Sequence, residues 1–146
     1  MPNLSTITTY QAGVYQSRAF RELQQLTTRI LKPYGITMAQ WSLLGFVNDA
    51  GSDGIRSTEL AIKLDTTQAF VTNTVNLLVK KGYVKRRDDI SDSRARDIIL
   101  NTKHIELVQK IEQAVRVALR REIYSKVTAD ELNTYVNVLI KFAEKS

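Results

Sequence analysis

Between Thr9 and Leu31 the apolar residues Tyr10, Val14, Phe20, Leu23, Leu26, Ile30 and Leu31 return at three- and four-residue steps, the period of a long helix with one apolar face. Pro33 and Gly35 end it. Thr37-Met-Ala-Gln40 has the spacing of a capping box, in which Thr37 accepts from a free backbone N–H and Gln40 reaches back to the cap. A second helix is therefore expected from Met38 to about Asp49, with Trp41, Leu44 and Val47 inward.

Gly51 to Gly54 reads as a turn. Ser57 then suits the cap of a short helix from Thr58 to Leu64, with Glu59 near its positive end. Thr66 and Thr67 open a further helix that runs to Lys81 and stops at Gly82. The link between these two helices is short enough to require a tight turn, so together they predict a helix-turn-helix whose second member is the one placed to enter a groove of DNA. Tyr83 to Arg87 and Asp97 to Leu100 follow as two short strands with the polar segment Asp88 to Arg96 between them, a hairpin with a charged tip. Asn101 or Thr102 is a candidate cap for a long helix from about Lys103 to Lys126, carrying Leu107, Ile111, Val115, Leu119 and Ile123. Thr128-Ala-Asp-Glu131 is a second capping box, opening a last helix with Leu132, Tyr135, Val136, Leu139, Ile140 and Ala143 on its apolar side. The expected fold class is mainly α with a small β-hairpin wing.

Composition narrows the functions open to such a chain. Its 146 residues, 43% apolar and 25% charged, are enough for one soluble domain with a real core. Cysteine is absent, which removes disulfides, thiolate nucleophiles and zinc-thiolate sites. His104 is the one histidine, expected as a solvated residue at a helix start, so neither a metal nor another cofactor is implied. The polar segment Met1 to Tyr10 lacks the features of a secretory signal and no apolar run is of membrane length, which points to a cytoplasmic protein with no membrane partner. An enzyme finds little support, because a Gly-rich phosphate loop and a nucleophile pair are both missing.

The net charge of +6 favours a polyanionic partner, and its distribution sharpens the point. From Val79 to Arg96, seven basic residues (Lys80, Lys81, Lys85, Arg86, Arg87, Arg94, Arg96) stand against Asp88, Asp89 and Asp92. Projected as a helix, the segment from Gln68 to Lys81 turns Phe70, Val71, Thr74, Leu77 and Leu78 to one side, where they are expected to pack on the preceding helices. The opposite arc carries Gln68, Ala69, Thr72, Asn73, Asn76 and Lys80. Asn and Gln pair bidentately with adenine, Thr and Ala meet the thymine methyl, and Lys sits on phosphate. Taken alone, that arc also suits plain solvent. Arg86, Arg87, Arg94 and Arg96 on the neighbouring hairpin favour double-stranded DNA, with Arg94 placed to enter a narrow minor groove and Asp92 to hold its guanidinium. Ser57 and Thr67, at the starts of the two helices, complete the candidate contacts.

Over essentially its whole length the chain resembles the MarR family of winged-helix regulators. Ile36 to Leu44 is similar to the family's second helix and Ser57-Thr-Glu-Leu-Ala61 to its third. Val71 to Arg86 resembles the recognition helix running into the wing, and Asp92-Ser-Arg94 with Ile98-Ile-Leu100 resembles the wing's D-x-R and returning strand. The resemblance implies that Thr72 and its neighbours read the major groove, that Arg94 probes the minor groove and that Asp92 orients it. Two departures stand out: Asn73 replaces a basic residue frequent in the family, and Leu100-Asn-Thr-Lys-His104 replaces L-T-x-x-G, leaving Asn101 as the cap.

The resemblance also implies one domain over 1–146, in which a DNA-binding lobe at about 37–101 sits between dimerisation helices at about 9–32 and 103–146. Three long amphipathic helices hold more apolar surface than one small winged helix covers, which agrees with a homodimer reading an inverted repeat, most simply as a repressor. The alternative is a winged-helix protein-interaction module with only non-specific affinity for DNA. Many relatives answer small aromatic or anionic effectors, and Tyr15, Arg18, Tyr34 and Trp41 are candidates to line such a pocket, although an aromatic at helical spacing is more often core.

Overall fold

The computed structural model describes residues 6–88 and 96–144. Six α-helices and three short strands follow in the order α1 Thr9–Leu31, α2 Met38–Ala50, β1 Ile55–Arg56, α3 Ser57–Lys63, α4 Gln68–Lys80, β2 Val84–Asp88, β3 Arg96–Leu100, α5 Ile105–Glu122 and α6 Ala129–Ala143. The chain divides into two compact units, Leu31–Ala114 and Met1–Ile30 with Val115–Ser146.

Local chemistry accounts for most element boundaries. At the head of α2, Gln40 N donates to Thr37 Oγ1 at 3.1 Å and Thr37 N donates to Gln40 Oε1 at 3.1 Å, the reciprocal capping box that the sequence anticipates. Thr128 and Glu131 repeat it at the head of α6. The end of α4 is set by Gly82 at φ 84°. Gly82 N bonds Val79 O and Tyr83 N bonds Leu78 O at 2.9 Å, a Schellman closure that needs the left-handed conformation glycine adopts freely. Asn101 does replace Thr as a cap, its Oδ1 accepting from Lys103 N at 3.3 Å, but it opens a 3-10 turn over Thr102–His104 rather than α5 itself.

Several expectations are corrected. The helix foreseen to Lys126 breaks at Ile123 and gives way to a 3-10 turn over Tyr124–Lys126. Ser125 Oγ donates to Arg121 O at 2.7 Å, engaging the carbonyl that a continuing helix would offer to the Ser125 N–H. Ser57 is not the cap of α3, because the helix starts at Ser57 itself and Arg56, which occupies the cap position, makes no side-chain capping bond to it. His104 is half-buried rather than solvated, its ring tilted against Tyr83 with centroids 5.1 Å apart. Trp41 is only half-buried, while Leu43, Leu44 and Val47 carry the buried face of α2.

The strands form an antiparallel sheet in the order β1-β3-β2. Val84 pairs with Leu100, Arg86 with Ile98 and Arg87 with Asp97, while Ile55 on β1 pairs with Ile98 from the other side. Alternation along β2 and β3 therefore turns Val84, Ile98 and Leu100 inward, where they join Leu43, Leu44, Val47, Leu60, Val71, Val75 and Leu78 in the buried core of this unit.

The other unit buries much less. Leu26, Thr27, Val115 and Ala118 are its sealed residues, and α6 has no fully buried side chain. Tyr10, Phe20, Ile140 and Phe142 are each more than half exposed (74%, 57%, 54% and 74%). No helix among the described residues is long and apolar enough to cross a membrane.

Candidate nucleic-acid interface

The interface grows from the turn between α3 and α4. Thr66 N bonds Ala61 O at 3.0 Å and Asp65 N bonds Ile62 O at 3.1 Å. Closing this turn puts Asp65 at φ 51°, a left-handed conformation that a short polar side chain tolerates better than a branched one. Thr67 then caps α4, its Oγ1 accepting from Phe70 N at 3.1 Å. Because Thr67 and Gln68 start the helix, its partly positive end is exposed beside them.

Burial along α4 decides which arc is free. Val71, Thr74, Val75 and Leu78 are buried, and Thr74 hides its hydroxyl on Phe70 O at 2.8 Å. Phe70 and Leu77, expected to pack inward, are 43% and 49% exposed. They sit on the flank of the helix, and Val75 takes the central buried position instead. Gln68, Ala69, Thr72, Asn73, Asn76 and Lys80 are all exposed.

Two hydrogen bonds tie this arc to neighbouring elements. Gln68 Nε2 donates to Ser57 Oγ at 3.3 Å, joining the start of α4 to the start of α3. Arg86 Nη2 donates to Asn76 Oδ1 at 2.6 Å, which brings a strand of the hairpin onto the exposed face of the helix. Arg87, one residue on, points the other way, as strand alternation requires. Its Nη1 and Nη2 reach Ser52 O at 2.7 Å and Asp53 O at 2.8 Å, and Nη2 lies 3.7 Å from Asp97 Oδ2. Much of the guanidinium is thus engaged in fastening the sheet to the turn after α2. Arg96 pairs with Asp88 in the ladder, whereas the Arg96 side chain, Asp92 and Arg94 lie outside the described residues.

Lys81 was not among the expected site residues, yet its Nζ donates to Gly35 O at 2.6 Å and lies 3.4 Å from Gln40 Oε1. The end of α4 is thereby tied to the connection between α1 and α2. No local spacing announces such a contact; the clue in the sequence is limited to a cation at the end of a helix.

Of the four residues considered for an effector, Tyr15 and Arg18 are exposed on α1 in one unit, and Tyr34 and Trp41 are half-buried in the other. The winged-helix unit has a mostly apolar cavity of about 200 Å³ lined by Val47, Ile99, Leu100, Ile105 and Arg87, among others. None of the four contributes to it. Among the described residues no group of His, Asp and Glu is arranged to hold a metal ion.

A helix-turn-helix followed by a hairpin, with a polar helical face and an arginine on it, defines a winged helix-turn-helix protein. The MarR family profile matches residues 34–95, from the turn before α2 to the residue before β3. The HTH-type transcriptional regulator PrsX of Escherichia coli is 32% identical over 114 residues, 78% of this chain and 68% of that protein. A mutant MarR from E. coli complexed with operator DNA is 27% identical, with a TM-score of 0.80 over 90% of this chain and 93% of that one. A MarR family transcriptional regulator from Streptomyces coelicolor in complex with DNA gives a TM-score of 0.83 over 94% and 92% of the two chains; at 24% identity it speaks to the fold alone. The chain belongs to the MarR family, a family of transcriptional regulators and not of enzymes.

Proposed function

We propose that this protein is a sequence-specific, DNA-binding transcriptional regulator that acts in the cytoplasm as a homodimer on an inverted-repeat operator, repressing by occlusion. In this reading α4 lies in the major groove with Gln68, Ala69, Thr72, Asn73 and Asn76 toward the bases. Lys80, Ser57 and Thr67 lie toward phosphate, and Arg94, oriented by Asp92, enters the minor groove. The carrying observation is that the unpacked polar arc of α4 and the hairpin residue Arg86 meet on one surface. The E. coli MarR relative complexed with operator DNA adds support.

The helices at about 9–32 and 103–146 serve dimerisation, and the lobe at about 37–101 serves DNA. Exposed Tyr10, Phe20, Tyr135, Ile140 and Phe142 favour this division, because a stable monomer rarely leaves so many large apolar side chains in water.

Selection of bound sequences from random DNA tests the proposal. It is expected to return a short inverted repeat whose half-sites are about one helical turn, roughly 34–36 Å, apart. Arg94→Ala is expected to weaken binding to that site by about 1–3 kcal/mol. Weak binding with no enriched sequence would refute the proposal and favour a protein-interaction module, and a particle of one chain mass in sedimentation equilibrium would refute the dimer.

A further inference from the structure

The bond between Arg86 and Asn76 fixes more than the position of the hairpin. A guanidinium carries donors and no acceptor. An amide facing it must therefore present its oxygen, and Asn76 Oδ1 stands 2.6 Å from Arg86 Nη2. Asn76 Nδ2 is then turned away from Arg86, on a residue that is itself exposed. The arrangement is anchored on the strand side: Arg86 is paired with Ile98 in the ladder, Ile98 and the same-face residue Val84 are buried, and Arg86 is half-buried.

This orientation alters what the helix offers to a base. Bidentate pairing of Asn with adenine needs the amide oxygen to accept from N6 and the amide nitrogen to donate to N7. Beside a cation, that oxygen is already engaged, and a second donor brought to it meets the positive field of the guanidinium. What the pair presents is donors: Nδ2 of Asn76 and the remaining N–H groups of Arg86. In the major groove guanine shows two acceptors, N7 and O6, and adenine shows one acceptor and one donor. We propose that Arg86 is a positioning residue that sets the base preference of Asn76, turning it from an adenine reader into a guanine reader at the base pair it meets. The inference rests on the reading of α4 as a base-contacting helix.

The experiment is selection from random DNA followed by competition binding, with the full-length protein and three variants. Asn76→Ala locates the base pair, as the position whose preference disappears. At that position the unmodified protein is expected to prefer guanine over adenine by about tenfold, the scale of one good base contact. Arg86→Met frees the amide and is expected to bring the ratio to even or invert it toward adenine. Arg86→Lys, which restores a donor and a charge, is expected to recover at least part of the guanine preference. A merely structural role for Arg86 would lower affinity for every sequence alike and leave the ratio unchanged. An enriched site whose guanine preference survives in Arg86→Met, or that carries adenine at that position in the unmodified protein, overturns the inference alone. Enrichment of no sequence by the unmodified protein overturns the reading of the protein as a sequence-specific binder, and the inference with it.

Discussion

Replacing Gly54 by alanine perturbs the joint between the hairpin and the turn after α2. Gly54 leaves the 3-10 turn Gly51–Asp53 at φ 76° and ψ 176°, a region that glycine alone occupies readily and that costs another residue about 1–3 kcal/mol. A Cβ built there stands 2.7 Å from Asp97 Cβ, 2.9 Å from Ile99 Cγ2 and 3.3 Å from Ile98 O. All three atoms belong to β3, the central strand, which is held on both sides by its ladder partners. The overlap therefore adds an overpacking cost of about 1–3 kcal/mol. Together the two terms give roughly 2–6 kcal/mol, a large share of the 5–15 kcal/mol that stabilises an ordinary domain. Urea titration at fixed protein concentration, a condition a dimer demands, is expected to show a lower midpoint with an unchanged slope. Gly45→Ala is the matched control: Gly45 lies within α2 and an added Cβ meets nothing within 4 Å. That variant is expected to stabilise the protein by about 0.5–1 kcal/mol. If Gly54→Ala unfolds within about 0.5 kcal/mol of the unmodified protein, below any cost derived from the two terms, the close approach of Gly54 to β3 is not as described.

Burial pushes the Tyr83 phenol above its ordinary pKa, so below about pH 10 its contribution to stability is intact. As pH rises further the unfolded chain loses the proton first and stability falls until the folded form titrates; Tyr83→Phe should flatten part of that alkaline loss, and an identical profile above pH 10 would count against it. Thr37→Ala removes the acceptor for Gln40 N at the head of α2 and is expected to cost about 1 kcal/mol, a figure that a thermal melt superimposable on the original would exclude. Lys80→Ala should weaken binding to all DNA alike and reduce the slope of log affinity against log salt by about 1; a change confined to one operator sequence would assign Lys80 a different role.

How much was written in the chain depends on the range of the interaction. The capping boxes at Thr37 and Thr128, the glycine stop at Gly82 and the start of α4 at Thr67 depend on atoms three to five residues apart, so sequence spacing reads them directly. The polar arc of α4 is a matter of helical period and was equally legible. The break at Ile123 was not, because the apolar period runs on through Ile123 and does not mark where the helix stops.

Tertiary structure decided everything that joins distant parts of the chain. The two-residue strand β1 exists because β3 supplies its partner at Ile98, and a strand so short carries no signal of its own. Arg86 and Arg87 are neighbours of the same type, yet one meets Asn76 and the other the carbonyls of Ser52 and Asp53. Alternation says that they point to opposite faces, but what waits on each face is set by where α4 and the turn after α2 are packed. Phe70 and Val75 are both apolar residues of the same helix, yet Phe70 is exposed and Val75 is buried for the same reason: hydrophobicity sets the preference for burial, and the neighbouring elements determine which positions have a surface to bury against.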